Sequence, residues 1–230
     1  MRQAHFLGMQ WNIVKKITAE KAMKPDIFIV EREQQFLVAK DFRDKGWIAR
    51  YIWGTLNIMY EKFLLNKLRG ISQIPQIIGL EDYNCLLISH IDGEEIKSCR
   101  HHLSENFFDQ LLQIADNLHI KGVLHLDLGH KSNIMVDRHG NPAIIDFNAS
   151  LYLPPTPFFR PMINLLALID RYSILRLKVK YRPQDSNPTE IKKVKFFLHL
   201  RKLWVFDGLV RKLTNLTKKN RVDRNHIKEA

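Results

Sequence analysis

Apolar residues in the N-terminal part of the chain are spaced as in one hairpin followed by one helix. Two runs rich in β-branched and aromatic residues, 26–31 and 35–40, flank a short polar turn and predict a β-hairpin. From 47 to 68 the apolar residues recur at helical spacing, with a break expected near Gly54. The apolar stripe in the second half of that helix comprises Leu56, Met59, Tyr60, Phe63, Leu64 and Leu68.

The C-terminal part reads as helices around a second hairpin. Ser104 is the expected cap of a helix whose core stripe comprises Phe107, Phe108, Leu111, Leu112, Ala115 and Leu118. Two short apolar runs, 134–136 and 143–145, are joined by a tight polar turn and predict a hairpin. After a stiff, proline-rich linker, two more helices are expected, from 162 to 178 and from 188 to 205.

Polar side chains cluster in sequence around that second hairpin. Asp127 and Asn133 come just before its first strand, and Asp146 comes just after its second. A hairpin brings these positions to the same end of the sheet, where oxygen-bearing side chains suit a hard cation such as Mg²⁺. The pattern predicts a metal site with a further carboxylate to orient a nucleophile.

The residues His125-Leu126-Asp127, Asn133 and Asp146-Phe147-Asn148 resemble the catalytic segment of the protein-kinase-like fold. Two features depart from that signature. Asn133 follows Asp127 by six residues, one more than the signature has, and Asn148 stands where the metal-binding turn has glycine. We expect Asn148 to replace that glycine because asparagine tolerates positive φ better than most residues.

The resemblance implies an α+β, bilobal protein-kinase-like fold, with a small N-terminal β-sheet lobe carrying one helix and a larger, mainly helical C-terminal lobe. The expected boundaries are 1–90 for the nucleotide-binding lobe, 91–213 for the catalytic lobe and 214–230 for a basic, frayed tail. Residues 1–24 lack the expected glycine-rich loop, and no Ala-Pro-Glu sequence ends an activation segment. In lacking both features, the chain resembles the compact bacterial and RIO-type kinases, including the lipopolysaccharide (Kdo/heptose) kinases.

The same resemblance implies roles in the catalytic segment. Asp127 would accept the proton of an acceptor hydroxyl, and Lys131 would replace a lysine that Ser/Thr kinases keep nearer to this aspartate. Asn133 and Asp146 would hold Mg²⁺, and His125 would be structural.

Further residues of the nucleotide site follow from the resemblance. Lys40, which ends Val38-Ala39-Lys40, would contact the ATP phosphates and pair with Glu61 on the following helix. Residues 84–88 predict a short buried strand, after which Ser89 and Ile91 would offer backbone partners to the adenine edge. Asp170, on a later helix, is expected to hold the backbone of the catalytic loop.

The implied function is an ATP- and Mg²⁺-dependent kinase that transfers the γ-phosphoryl group to a hydroxyl of a protein Ser/Thr or of a lipopolysaccharide core sugar. Two alternatives stay open at this point. A pseudokinase, a nucleotide-binding scaffold without turnover, is favoured by the missing glycine-rich loop and the altered motifs. A nucleic-acid-binding protein is suggested by the basic charge. An aminoglycoside phosphotransferase is disfavoured, because a basic chain is a poor host for a cationic drug.

Composition and charge add a location and a partner. Hydrophobic residues make up 45% of the chain, and two cysteines give no disulfide framework. With no signal-peptide pattern and no apolar run long enough to cross a bilayer, a cytoplasmic protein is expected.

The net charge is +12, and residues 191–230 hold 12 of the 36 basic residues against three acids. Aromatic residues are interleaved with these cations, among them Phe196, Phe197, Trp204 and Phe206. They predict either core packing or a basic amphipathic surface that lies on the anionic inner face of a membrane. With helical spacing of the aromatics, nucleic acid is the less expected partner.

Overall fold

The computed structural model describes residues 3–17, 23–99 and 102–203, with side chains described up to Phe196. The chain divides into two compact units, Met1–Ile174 and Leu175–Ala230. The expected lobe boundary near residue 90 lies inside the first unit and stays a prediction. The expected basic tail, 214–230, and the aromatic residues beyond Phe196 lie outside the described side chains.

An antiparallel sheet with strand order β1-β2-β3-β4-β6-β5 forms the first part of the fold. Its strands are β1 Gln3–Phe6, β2 Met9–Ile17, β3 Asp26–Arg32, β4 Gln35–Asp41, β5 Ile77–Glu81 and β6 Cys85–Ser89. The hairpin predicted from the sequence is β3–β4. Its turn residues, Glu33 and Gln34, have φ of 52° and 66°, the backbone that a two-residue hairpin turn requires.

The strands β1 and β2 occupy residues for which the sequence predicted no element. Their hairpin buries Phe6 and Trp11 in a cluster with Phe28, Leu37 and other residues of the neighbouring strands. Trp11 also donates its indole N–H to the Phe6 carbonyl over 3.2 Å. An edge hairpin that buries so few residues leaves little periodicity in its sequence, which is why the pattern failed to reveal it.

The predicted helix is present as a π-helical turn, Ala49–Gly54, followed by α1, Thr55–Lys67. The predicted break at Gly54 is a change from π-helical to α-helical bonding, and the backbone of Gly54 stays helical, with φ of −62° and ψ of −49°. Glycine is needed there because a Cβ atom would lie 2.7 Å from Cγ of Phe42. The predicted apolar stripe is largely wrong. Leu64 and Leu68 are buried, but Leu56, Met59, Tyr60 and Phe63 are exposed, and Ile58, Glu61 and Leu65 are buried instead.

Helices and short strands make up the rest. The elements are β7 Glu94–Glu95, α2 Phe107–Ile120, β8 Val123–Leu124, β9 Ile134–Val136, β10 Pro142–Ile144, β11 Leu151–Tyr152, α3 Arg160–Tyr181 and α4 Pro188–Leu203, with 3-10 turns at Lys131–Asn133 and Pro183–Asp185. The predicted second hairpin is β9–β10. The predicted cap of α2 is wrong, because Asn106, not Ser104, is the residue before its first turn.

The architecture is therefore the mixed type that was predicted, a curled antiparallel sheet with several helices. Within the described residues, no helix combines the length and the apolar character needed to cross a bilayer.

Candidate active site

The side chain of Lys40 links three elements by its contacts: the six-stranded sheet, helix α1 and the turn after β10. It lies on β4, between β3 and β6, where its neighbours in register are Ile27 and Leu86. Its Nζ is 2.5 Å from Oε1 of Glu61 on α1 and 3.1 Å from Oδ1 of Asp146. The predicted ion pair, and its orientation toward Asp146, are confirmed.

Burial and charge oppose each other in this group. The side chains of Lys40 and Glu61 are 5% and 1% exposed. Burial lowers the pKa of Lys40, but the adjacent charges of Glu61 and Asp146 outweigh it and the net pKa is raised. Burial raises the pKa of Glu61, and the charge of Lys40 acts in the opposite direction. Lys40 is therefore a fixed cation in a nearly water-free setting, where an anion is attracted strongly.

Asp146 sits in a strained turn and points partly into solvent. Its φ is 65°, in the left-handed region, and its side chain is 45% exposed. Burial raises its pKa, but the charge of Lys40 prevails and the net pKa is lowered. Asn148 donates from Nδ2 to Oδ1 of Asp146 over 2.7 Å. Our expectation for Asn148 is corrected here: the positive φ belongs to Asp146, and Asn148 orients that carboxylate.

Asp127 and Asn133 are held together on the loop before β9. Asn133 Nδ2 donates to the Asp127 carbonyl over 3.0 Å and to its Oδ2 over 2.9 Å. A 3-10 turn at Lys131–Asn133 lies between Asp127 and β9. Asn133 thus positions Asp127, and only its Oδ1 could reach a metal. Lys131 starts the same turn, and among the described contacts it makes no ion pair with Asp127.

Asp170 on α3 holds the backbone that leads into Asp127, as predicted. This fully buried carboxylate accepts the backbone N–H of His125 over 2.8 Å and that of Leu126 over 2.7 Å. Leu126 has φ of 62°, so these bonds hold a conformation that a non-glycine residue seldom adopts. His119 of α2 adds a third bond to Asp170 at 3.0 Å. The contact of His119 with Asp170 was not predicted, because the sequence marks His119 only as one residue of a helix.

His125 is a structural residue, as expected. It is fully buried, its Nε2 lies 3.2 Å from the Ile145 carbonyl, and its ring centroid is 5.0 Å from that of Phe147. Burial lowers its pKa below the ordinary range, so the neutral ring donates to Ile145. The contact ties the loop of Asp127 to the turn that carries Asp146.

Tyr60 connects α1 to the chain beyond Asp146, a contact that the spacing of apolar residues did not predict. Its hydroxyl donates to the Ser150 carbonyl over 3.0 Å and accepts the Tyr152 N–H over 3.2 Å. Ser150 in turn donates to the His125 carbonyl over 3.4 Å. Because Tyr60 precedes Glu61, these bonds couple the position of Glu61 to the turn of Asp146.

The two residues predicted for the adenine edge differ in availability. The Ser89 N–H is donated to the Gln76 carbonyl over 2.8 Å, and its hydroxyl accepts the Gln76 N–H over 2.9 Å. Among the described residues the Ile91 N–H makes no backbone hydrogen bond. Ile91 therefore keeps a free backbone donor of the kind the prediction needs, and the Ser89 donor is already used.

The donor set fits Mg²⁺ if a nucleotide completes the shell. Asp146 is partly exposed and ionised, and Asn133 retains an amide oxygen, both of them hard ligands. In the part of the chain that the structure describes, no three or more His, Cys, Asp or Glu side chains gather into a metal site. Mg²⁺ is commonly held by one or two protein groups plus phosphates and water, and this arrangement matches that mode.

Comparison with known proteins gives sequence matches over part of the chain and structural matches over more of it. No protein-family model matches the chain. Two CBL-interacting serine/threonine-protein kinases of Arabidopsis thaliana, numbers 15 and 21, are 28% and 30% identical over 87 residues. These matches cover 35% of this chain, which spans only about a fifth of those relatives, at 20% and 21%.

The structural match covers more of the chain. The Rio2 kinase of Chaetomium thermophilum, solved as an ADP/Mg²⁺-phosphoaspartate complex, aligns with a TM-score of 0.52 at 18% identity, covering 79% of this chain and 60% of that one. At this identity the likeness concerns the fold. The chain has the protein-kinase-like fold, with a resemblance to RIO-type members.

Proposed function

We propose that this protein is an ATP- and Mg²⁺-dependent phosphotransferase that acts on a hydroxyl acceptor. The observation that carries the proposal is the placement of Lys40, within 2.5 Å of Glu61 and 3.1 Å of Asp146. A buried lysine held between two carboxylates is costly to maintain, and a phosphate-binding role explains it. The ADP/Mg²⁺ of the Rio2 complex supports the choice of ligands.

Each residue has a task that its geometry permits. Lys40 would hold the α- and β-phosphates, and Asp146 with Asn133 Oδ1 would hold Mg²⁺, which neutralises charge on the phosphates. The Ile91 N–H would bind the adenine edge. Asp127, oriented by Asn133, would take the proton of the acceptor hydroxyl as its oxygen bonds to the γ-phosphorus and ADP leaves.

The acceptor is proposed at the level of its chemistry, a hydroxyl of a protein Ser/Thr or of a lipopolysaccharide core sugar. The basic net charge of +12 suits an anionic acceptor or an anionic surface. A cytoplasmic protein, peripheral at the inner face of the membrane, would meet both kinds of acceptor.

A pseudokinase is the second candidate, and one observation favours it. The connection between β2 and β3 begins after Ile17 and ends before Asp26, beside Lys40 in the sheet, and it contains no glycine. Glycine lets the backbone approach phosphates closely, so a connection without it would bind them less tightly.

The deciding experiment is transfer of labelled γ-phosphate from ATP into a cell lysate that is then split into protein and lipid fractions. We expect wild-type protein to label one fraction. Asp127→Ala should abolish labelling while Mg·ATP binding persists, and Asp146→Ala should also lose the Mg²⁺ dependence of binding. Asp109→Ala, which removes an exposed carboxylate on α2, is the matched control. Equal inactivity of wild type and Asp127→Ala would favour the pseudokinase.

A further inference from the structure

The π-helical turn and the start of α1 expose an unusual number of large apolar side chains. We call this set the aromatic face: Trp47, Ile48, Tyr51, Ile52, Trp53 and Leu56, which are between 46% and 69% exposed. The buried residues of the π-helical turn are Ala49 and Gly54, which bring no large side chain to the core. Met59 and Phe63 extend the apolar surface along α1. Contiguous exposed surface of this kind marks a place of contact.

The charge around the aromatic face is mainly positive. Between Asp44 and Glu81 the chain has five cations, Lys45, Arg50, Lys62, Lys67 and Arg69, and a single acid, Glu61. That acid is buried and paired with Lys40, and Lys45 is paired with Asp26 over 2.6 Å. Four cations therefore stand against one exposed carboxylate, that of Asp44, which precedes Trp47 by three residues. Two of the cations lie over aromatic rings, Arg50 at 4.9 Å from the Tyr51 centroid and Lys67 at 5.4 Å from that of Phe63.

Tryptophan and tyrosine beside lysine and arginine are the residues that lie at a membrane–water interface. A protein partner would also accept aromatics and arginine, but it would have to present a mainly acidic rim to this basic surface. A second copy of this chain would place like charges together across the contact. An anionic lipid surface is complementary to both the apolar and the charged parts.

We infer that the aromatic face is a membrane-docking surface that inserts Trp47, Tyr51 and Trp53 at the headgroup level of an anionic leaflet. Its flanking cations contact lipid phosphates. This narrows the peripheral location proposed above to particular residues outside the basic C-terminal stretch. It concerns binding alone, so a vesicle assay can fail without the phosphotransferase failing, and the reverse.

The test is co-sedimentation of the full chain with phosphatidylcholine vesicles that contain or lack phosphatidylglycerol. Wild type should bind the anionic vesicles, more weakly as salt rises. Trp47→Ser/Leu56→Ser should weaken binding at least about tenfold, because both side chains lose apolar area that would be buried. The matched control is Phe158→Ser/Leu165→Ser, which removes a phenylalanine and a leucine that are 83% and 65% exposed elsewhere. This control should bind as wild type does.

Charge is tested separately with Lys67→Gln/Arg69→Gln, which should cost about fivefold per charge on anionic vesicles and flatten the salt dependence. Should the face variant fold poorly, quenching by brominated lipid in a Trp204→Phe protein replaces it. That variant keeps three tryptophans, of which Trp11 is buried, so quenching must come from Trp47 and Trp53.

Three results would overturn the inference. The first is absence of vesicle binding by wild type. The second is wild-type binding by the face variant, which would assign the contact to another part of the chain. The third is a dimer, seen by light scattering, that the face variant dissolves while no vesicles bind.

Discussion

Replacing Lys40 with methionine should make the free energy of unfolding fall more steeply as pH rises. The substitution keeps the length of the side chain and removes its charge, which leaves the buried carboxylate of Glu61 without its cation at 2.5 Å. Burial already raises the pKa of Glu61, and the opposing effect of Lys40 disappears in the variant. The folded-state pKa of Glu61 should therefore rise further.

The sign follows from proton binding. A carboxyl group whose pKa is higher in the folded than in the unfolded state binds more protons when folded, so the free energy of unfolding falls as pH rises. The loss begins above the unfolded pKa of about 4.3 and proceeds at up to about 1.4 kcal/mol per pH unit. The free energy of unfolding stops falling once the pH exceeds the folded-state pKa of Glu61. We expect the total loss to be limited to about 3–5 kcal/mol, the usual cost of leaving a buried charge without its partner.

The assay is urea unfolding of the nucleotide-free protein between pH 5 and pH 8. Lys40→Met should be less stable than wild type even at pH 5, because Asp146 also loses its cation, and it should become progressively weaker toward pH 8. The matched control is Lys40→Met/Glu61→Gln, which has no buried carboxylate. Asp146 loses its partner in both variants, so the difference between them isolates Glu61. If the single variant tracked the double at every pH, the reasoning would be refuted, because Glu61 would not be a buried charge that Lys40 neutralises.

Three further outcomes are expected. Asp170→Asn places an amide donor against a backbone N–H and should cost about 2–4 kcal/mol in urea unfolding, with transfer slowed more than nucleotide binding; unchanged stability would contradict the bonds to His125. Tyr60→Phe should cost no more than about 1 kcal/mol yet lower kcat with little change in KM for ATP, and an unchanged kcat would argue against the coupling through its hydroxyl. Asn148→Ala should raise the Mg²⁺ concentration for half-maximal transfer several-fold by releasing Asp146, and an identical titration curve would show that Asn148 does not orient it.

The sequence determined those parts of the site in which chemistry and chain order agree. Lys40 and Asp146 were predictable because they stand in motifs that resemble those of kinases, and Glu61 because it is the only acid between Asp44 and Glu81. The structure brings the three charges together, as a buried cation requires. The role of Asp170 was predictable only from the resemblance to kinases, and the structure shows its hydrogen bonds to the backbone of His125 and Leu126. The roles of these residues in catalysis remain proposals.

Tertiary structure decided what depends on which neighbour a residue meets. Periodicity placed the apolar residues of α1 at helical spacing but did not reveal that the core lies on the side of Ile58 and Glu61. On that side Gly54 packs closely on Phe42 and Glu61 pairs with Lys40, while the aromatic face stays outside.

The prediction for Asn148 was wrong for the same reason, because the conformation of the turn depends on its neighbours. Asn148 was expected to adopt positive φ from its residue type, yet the structure gives that backbone to Asp146 and uses the Asn148 amide as a donor. A local rule ranks the residues that tolerate a conformation. Which of them adopts it depends on hydrogen bonds between segments far apart in the chain, such as those from Tyr60 to Ser150 and Tyr152, and only the folded structure brings those segments together.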